Sequence, residues 1–516
     1  MNRTEYLDCT LRDGGYYTNW DFDKQLVNQY LNSVNVLPID IIEVGYRSLP
    51  KKQYVGQYFY CPERTLEYVR KRADKKKIAI MLNEKEVPVK NVAALLKPVA
   101  GFIDLVRLAV QPERFDQAVL LAQEIKAMGV PVAFNLMYMS KVLQNKSVLE
   151  KLPFLNGVID CFSLVDSYGG VYPEDVRVTV QEVCSVLSMP VGFHGHNNME
   201  LAFVNSLTAL EMGCKIVDGT ITGMGRGAGN LKTELFMTWL AQKKLANVDF
   251  NALSDVVDAF EKMQQVYGWG TNLPYMVSGA NSLPQQDVMD WLTKRTYSMN
   301  SIIRALHNQT LGADDNIKLP VMNSDRKYKK ALLVAGGQSA VEHAEAVLSW
   351  IDMNKDDLVV IHVSTRNSGN YTEAKAKQIF ALVGNEGKRL EKSFNNFSGE
   401  IICVLPPYPR KMGTYIPEKL TNTAYELSKV DFTDQYTDSH TAVSLQCVIE
   451  FGAEECYAIG FDGYAGLQIG EKEQDLLREN DALFSEFIRK HFPISSLAPS
   501  KYDKLKVQSI YELVAR

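Results

Sequence analysis

Two histidines two residues apart, His194 and His196 in PVGFHGHNN, are the only imidazoles in the first 306 residues of this 516-residue chain. On an extended strand, residues i and i+2 point to the same face, so both rings address one site. Arg12 and Asp13 follow a second apolar run and precede Gly14 and Gly15, a pair suited to a tight turn. A third block, TITGMGRGAGNLKTE, is a glycine-dense loop in which Asn230 stands just before a helical stretch. Brought together, Asp13, His194, His196 and the Asn230 side-chain oxygen make a donor set for one divalent ion: Mn²⁺, Mg²⁺, Co²⁺ or Zn²⁺. An oxygen-rich open octahedron favours the first two. Taken singly, each block also has a plain reading as loop histidines, a structural ion pair or an ordinary turn. Their convergence is what favours a metal centre. An ion beside an arginine stabilises charge on a keto oxygen, which points to enolate chemistry on a 2-oxo acid, making or breaking a carbon–carbon bond.

Such a site needs elements that bring the three blocks together. Eight apolar runs mark the first 250 residues: YLDC, DIIEVG, KIAIML, FIDLVRLAV, PVAFNLM, VIDCFSLV, PVGFH and KIVDGTI. Helical patterns lie between them, such as ERFDQAVLLAQEIKAMG (113–129), which stops on Gly129, and PEDVRVTVQEVCSVLS (173–188). Eight βα units in this length predict a (β/α)₈ barrel, whose active face is the C-terminal end of its strands. An open doubly wound sheet is the alternative. Residues 251–310 read as a helical extension packed on the barrel, and 311–330 as a polar linker. Residues 331–516 restart the strand pattern with ALLVAGGQSA, DLVVIHVS, EIICVL and CYAIGFDGY, giving a second, Rossmann-like α/β domain.

Composition narrows the class. With 46% hydrophobic and 23% charged residues the chain is an ordinary globular protein, and its net charge of −5 gives no footprint for nucleic acid. No run of apolar residues is long enough to span a membrane. Acidic residues Glu5, Asp8 and Asp13 break any N-terminal leader pattern, and eight scattered cysteines form no CxxC pair. A cytoplasmic protein is expected, with small-molecule partners and assembly as a homo-oligomer.

The blocks DCTLRDGG, IEVGYR (42–47), LVDSYGG (164–170), GFHGHNN and GMGRGAGN resemble, in order, the signature blocks of the DRE-TIM metallolyases. That family includes HMG-CoA lyase, 2-isopropylmalate synthase and 4-hydroxy-2-oxovalerate aldolase. The resemblance, over residues 4 to about 250, implies the metal ligands Asp13, His194, His196 and Asn230 and a catalytic Arg12. Glu43 would orient Arg12 through a charge-assisted bond. Arg107, Asn135 and Asp166, at the ends of runs four, five and six, would face the same mouth and bind or support substrate. The chain departs from its family at one place. The pyruvate aldolases carry a histidine base three residues after the ligand Asp and the synthases a glutamine, whereas here the residue is Tyr16, followed by Tyr17. Tyr16 is one candidate for the acid/base; a water held by the ion is the other.

In the second domain VAGGQSAVEHAEAV places Gly336, Gly337 and Ser339 at a strand-to-helix turn whose N–H groups can receive a phosphate. Together with SHTAVSLQCVIEFGAEECYAIGFDGY (439–464), it resembles the Rossmann-type domain of motility-accessory-factor and bacterial sialyltransferase-like proteins. The resemblance makes His440, Asp462 and Tyr464 candidates for a nucleotide-sugar site. The leading reading is a divalent-metal aldolase acting on a 2-oxo acid and an aldehyde, a sugar-derived one for surface-polysaccharide synthesis if the two domains serve one purpose. An acyl-CoA condensing synthase or lyase on the same barrel is the alternative. So is a bifunctional protein whose second domain binds or transfers a nucleotide sugar.

Overall fold

The computed structural model describes residues 4–293, 297–323, 326–463 and 471–515. They form two compact units, Met1–Met289 and Asp290–Arg516. In the first, each apolar run becomes a strand: β1 Glu5–Asp8, β2 Ile41–Tyr46, β3 Lys77–Asn83, β4 Leu105–Val110, β5 Val132–Leu136, β6 Cys161–Asp166, β7 Val191–Gly195 and β8 Ile216–Gly219. All pair in parallel, and β8 returns to β1 with Asp218 opposite Leu7. The ring is closed. That closure excludes the open sheet for these residues.

Side-chain alternation sorts the inside of the ring into layers. Leu7, Ile41, Ala79, Ala133, Cys161 and Ile216 form an apolar floor. Two positions further along their strands stand Glu43, Asn135 and Asp218, with His194 of β7 beside Asp218 and Arg107 of β4 level with Ala133, all buried. Outward-facing residues pack against the helices. In helix Lys24–Val36 the buried side chains Val27, Tyr30, Leu31 and Val34 recur at helical spacing, and Asp23 accepts from the N–H groups of Gln25 and Leu26 at its start. Phe260, on helix Phe250–Tyr267, meets the Tyr30 ring edge-on at 6.2 Å and is fully buried. Truncating it to alanine would cost about 3–5 kcal/mol. Helix Phe115–Ala127 ends as expected, with Gly129 at φ +76°.

The helical extension does not stay in one piece. Helices Phe250–Tyr267 and Leu273–Ala280 lie within the barrel unit, where Trp269 Nε1 donates to Thr222 O and Asn198 Nδ2 to Tyr275 O. Helix Met299–Leu311 begins on a Ser298 cap within the second unit, where Ser301 Oγ accepts from the Asn385 N–H. The polar stretch expected as a linker also packs. Leu319 is buried, and the Met322 N–H bonds to Glu426 O.

The second unit is one parallel eight-stranded sheet. Its strands are β9 Lys330–Val334, β10 Leu358–His362, β11 Lys377–Ala381, β12 Ile401–Leu405, β13 Ala424–Glu426, β14 Glu455–Ile459, β15 Ile494–Ser496 and β16 Lys506–Val507. Their order is β13-β12-β11-β10-β9-β14-β15-β16, so the chain reverses direction between β9 and β14. This is a doubly wound, Rossmann-like arrangement. Among the described residues no helix is long and apolar enough to cross a membrane.

Candidate active site

β1 runs straight into the short helix Thr10–Asp13, which carries Arg12 and Asp13 over the C-terminal mouth of the barrel. Trp20 Nε1 donates to Arg12 O at 2.8 Å and fixes that turn. Arg12 Nε donates to Glu43 Oε2 at 2.7 Å, and its Nη1 donates to Asp13 Oδ1. Its Nη2 has no partner among the described residues. Glu43, fully buried beneath, holds the guanidinium as the sequence predicts.

The histidines are held from behind. His194 Nδ1 lies 3.0 Å from Asp218 Oδ2, and His196 Nδ1 lies 2.8 Å from Asp166 O. A carboxylate and a carbonyl can only accept, so both Nδ1 atoms donate, and in a neutral ring Nε2 is left with its lone pair. His194 Nε2 faces Asp13 Oδ2 at 3.5 Å. Asn230 Nδ2 donates to the same Asp13 oxygen at 2.6 Å, and the buried Asn230 Oδ1 has no partner. The loop reaches this geometry because Gly225 lacks a Cβ, which would stand 2.5 Å from Asn230 Nδ2. Burial alone would raise the Asp13 carboxyl, but the Arg12 guanidinium foremost, with the Asn230 amide, holds it below the ordinary carboxylate value. Burial and the neighbouring His194 hold His196 down at about 3, so its ring is neutral. Asp13 and His194 offer donor atoms close enough to share a divalent ion, and His196 lines the same cavity.

Cys9 Sγ also lies within 4.8 Å of donor atoms on Asp13 and His194. Its S–H, however, points to Gly219 O at 3.4 Å, and burial pushes the thiol well up. Cys9 is therefore packed beneath the site with its S–H on a backbone carbonyl.

A cavity of about 250 Å³ opens above these residues, lined by Arg12, Asp13, Tyr16, Asn135, His194 and His196 among others. Asn135 Oδ1 accepts from Arg107 Nε at 3.1 Å, which leaves its amide nitrogen for the cavity. The Tyr16 hydroxyl stands 3.2 Å from that of Tyr46, and its ring packs edge-on against Trp20.

Two residues expected at the mouth are elsewhere. Arg107 lies one layer below, wholly buried, with Nη2 on Asp218 Oδ2 and Nη1 3.3 Å from Glu43 Oε2. It locks the carboxylates that hold Arg12 and His194. The Asp166 side chain turns into its own loop and accepts from the N–H groups of Gly170 and Val171, each at 3.3 Å. Burial, which those bonds only partly offset, pushes it up to about 7. Its backbone carbonyl, not its carboxylate, serves the site. Sequence reasoning missed Asp218, Tyr46 and Arg226, although an aspartate inside the apolar run KIVDGTI was a legible signal.

In the second unit the expected phosphate seat is filled from within. Asp462 Oδ2 accepts from the Ser339 N–H at 2.9 Å, and its other oxygen accepts from Ser339 Oγ. A Cβ on Gly337 would stand 2.6 Å from the same carboxylate, while Gly336 faces Ser364 and Arg366. A carboxylate already takes the place of the anion. His440 begins helix His440–Glu450 with a buried, unpartnered Nε2, close enough to Glu386 for their charges to interact. Tyr464 lies outside the described residues.

Known proteins resemble the barrel in sequence and fold. The sequence model of the HMGL-like family matches residues 3–259. Over 258 residues the chain is 30% identical to the 4-hydroxy-2-oxovalerate aldolase of Carboxydothermus hydrogenoformans, spanning 49% of this chain and 75% of that one. It is 24% identical to the oxaloacetate decarboxylase of Mycobacterium tuberculosis over 58% of this chain and 89% of that one. The solved N-terminal domain of a candidate aldolase from Bacteroides vulgatus is 50% identical, with a TM-score of 0.56 over 58% of this chain and 99% of that one. With the signature blocks set on the strand ends of a closed barrel, the chain belongs to the HMGL-like family and is a lyase of the aldolase type.

Proposed function

We propose that the barrel makes or breaks the carbon–carbon bond of a 4-hydroxy-2-oxo acid, with pyruvate as one partner and an aldehyde as the other. The reading is carried by one observation: Arg12, Asp13, His194 and His196 line one cavity wall, with Asn230 bonded to Asp13 behind it. Asp13, His194, His196 and Asn230 would hold a divalent ion, Mn²⁺ or Mg²⁺ before Co²⁺ or Zn²⁺, and its chemistry is to polarise the oxo-acid oxygens as a Lewis acid. Arg12, fixed by Glu43 and Asp13, stabilises negative charge on the keto oxygen. Asn135 offers an amide N–H from the cavity wall. Tyr16 carries the proton to and from the aldehyde oxygen, in the place where the family's aldolases use histidine. The relatives named as an aldolase of a hydroxy-oxo acid and as a decarboxylase of an oxo acid support this substrate class. The acceptor we assign is a sugar-derived aldehyde used in surface-polysaccharide synthesis.

The test is exchange of the pyruvate methyl hydrogens in heavy water, with Mn²⁺ and with a chelator, beside a free-thiol assay with acetyl-CoA. Metal-dependent exchange without thiol release is the expected result. Thiol release would select a condensing synthase instead. Calorimetric titration of the whole chain with nucleotide sugars tests the second unit.

A further inference from the structure

The loop that carries Asn230 also carries a cation that this mechanism does not use. Arg226 is the one charged residue in GMGRGAGN. Its guanidinium carbon lies 5.1 Å from the Tyr16 ring centroid, and the side chain lines the cavity. Among the described residues no carboxylate pairs with it. Arg12, on the same cavity, has two. Besides Asp13, the acid on the lining is Glu86, which is held by Lys51 at 2.7 Å. Lys85 lines the cavity as well and makes no ion pair among the described residues. Two cations thus face the cavity with no ion pair to a protein carboxylate among the described residues. A half-buried guanidinium without a counter-ion is unfavourable, and an arriving anion relieves it.

The cavity holds more than the oxo acid. Its volume of about 250 Å³ corresponds to roughly eight waters at ~30 Å³ each, and pyruvate fills only part of that. Arg12 and the donor set already seat the oxo-acid end. Arg226 stands over Tyr16, the group that serves the aldehyde oxygen in the proposed reaction. It therefore belongs to the acceptor.

We propose that Arg226, with Lys85, forms an anion subsite for the acceptor, so that the aldehyde bears a carboxylate or a phosphate and the aldol product a second acidic group. This inference rests on the aldolase reading above.

The experiment compares kcat/KM for pyruvate addition by the Mn²⁺-loaded full chain to three aldehydes: neutral propionaldehyde, succinic semialdehyde and glyceraldehyde 3-phosphate. An anionic aldehyde should be preferred over the neutral one by about 10–100-fold, and which of the two is preferred identifies a carboxylate or a phosphate. Arg226→Gln should bring that ratio close to one, and Arg226→Lys should keep part of it by retaining charge without the planar fork. A wild-type ratio near one, or a ratio that survives in Arg226→Gln, overturns the subsite. So does a uniform loss with all three aldehydes joined to a raised KM for pyruvate, which would place Arg226 on the oxo acid. Wild-type exchange of pyruvate hydrogens with no anionic preference removes the subsite alone. Absence of that exchange removes the aldolase reading and the subsite with it.

Discussion

His194 Nδ1 and Asp218 Oδ2 are 3.0 Å apart, and that same carboxylate oxygen also accepts from Arg107. The imidazole is thus fixed as the Nδ1–H tautomer by a carboxylate that is itself pinned. Asp218→Asn should lower Mn²⁺ affinity about 10–100-fold, read by calorimetric titration. Wild-type affinity in that variant would show that His194 needs no such support.

The donor set makes a sharper claim. Asp13→Ala, His194→Ala and His196→Ala should each lose metal and turnover while thermal unfolding stays cooperative, because these groups serve the site and not the core. Cys9→Ala should keep its metal, since the Cys9 S–H is committed to Gly219 O. Full metal content and turnover in all three ligand variants would end the metal assignment, and loss of metal in Cys9→Ala would add a thiolate to it.

For Arg12 the informative change is to lysine. The guanidinium is forked between Glu43 and Asp13, a geometry that an ammonium cannot copy. Its task is to meet charge that exists only along the reaction, so Arg12→Lys should lower kcat much more than it raises KM. A raised KM with kcat intact would mean that Arg12 only seats the substrate.

Tyr16→Phe should cost on the order of 10²–10⁴ in kcat and leave Mn²⁺ affinity in place, because the phenol is not a ligand. Tyr16→His should recover part of the rate with a more acidic optimum. If Tyr16→Phe keeps its kcat and pH profile, the proton comes from solvent and the ring only packs beside Trp20.

Stability should also depend on pH through the second unit. Glu479 is buried, and burial pushes its carboxyl up to about 7 from 4.5. The folded state then holds a proton that the unfolded chain has released. Its contribution is fully present below about pH 4.5 and is lost as pH rises through 7. Glu479→Gln should flatten the fall in melting temperature over that window, measured by calorimetry. A wild-type slope in the variant would assign the effect to other groups.

What the sequence determined was mostly local. Strands buried on both faces must read as apolar runs, so the eight runs of the first unit were legible, and the period of two aimed His194 and His196 together. The second unit shows where such reading runs out. β11, β13, β15 and β16 escaped it, because KQIFA carries a buried Gln378 and the others are two or three residues long. Such strands exist only once a neighbour supplies their hydrogen bonds.

The tertiary structure decided what depends on residues distant in the chain. Pairing of β7 with β8 set Asp218 beside His194, and closure of β8 on β1 brought Asn230 onto Asp13. Position at a strand end did not settle which way a side chain serves: Arg107 sits one inward layer too low, and Asp166 spends its carboxylate on its own loop. Gly336, Gly337 and Ser339 read as a phosphate seat, yet the chain folds Asp462 into it from more than a hundred residues away. A motif states which groups are available. Only packing in three dimensions decides which partner reaches them first.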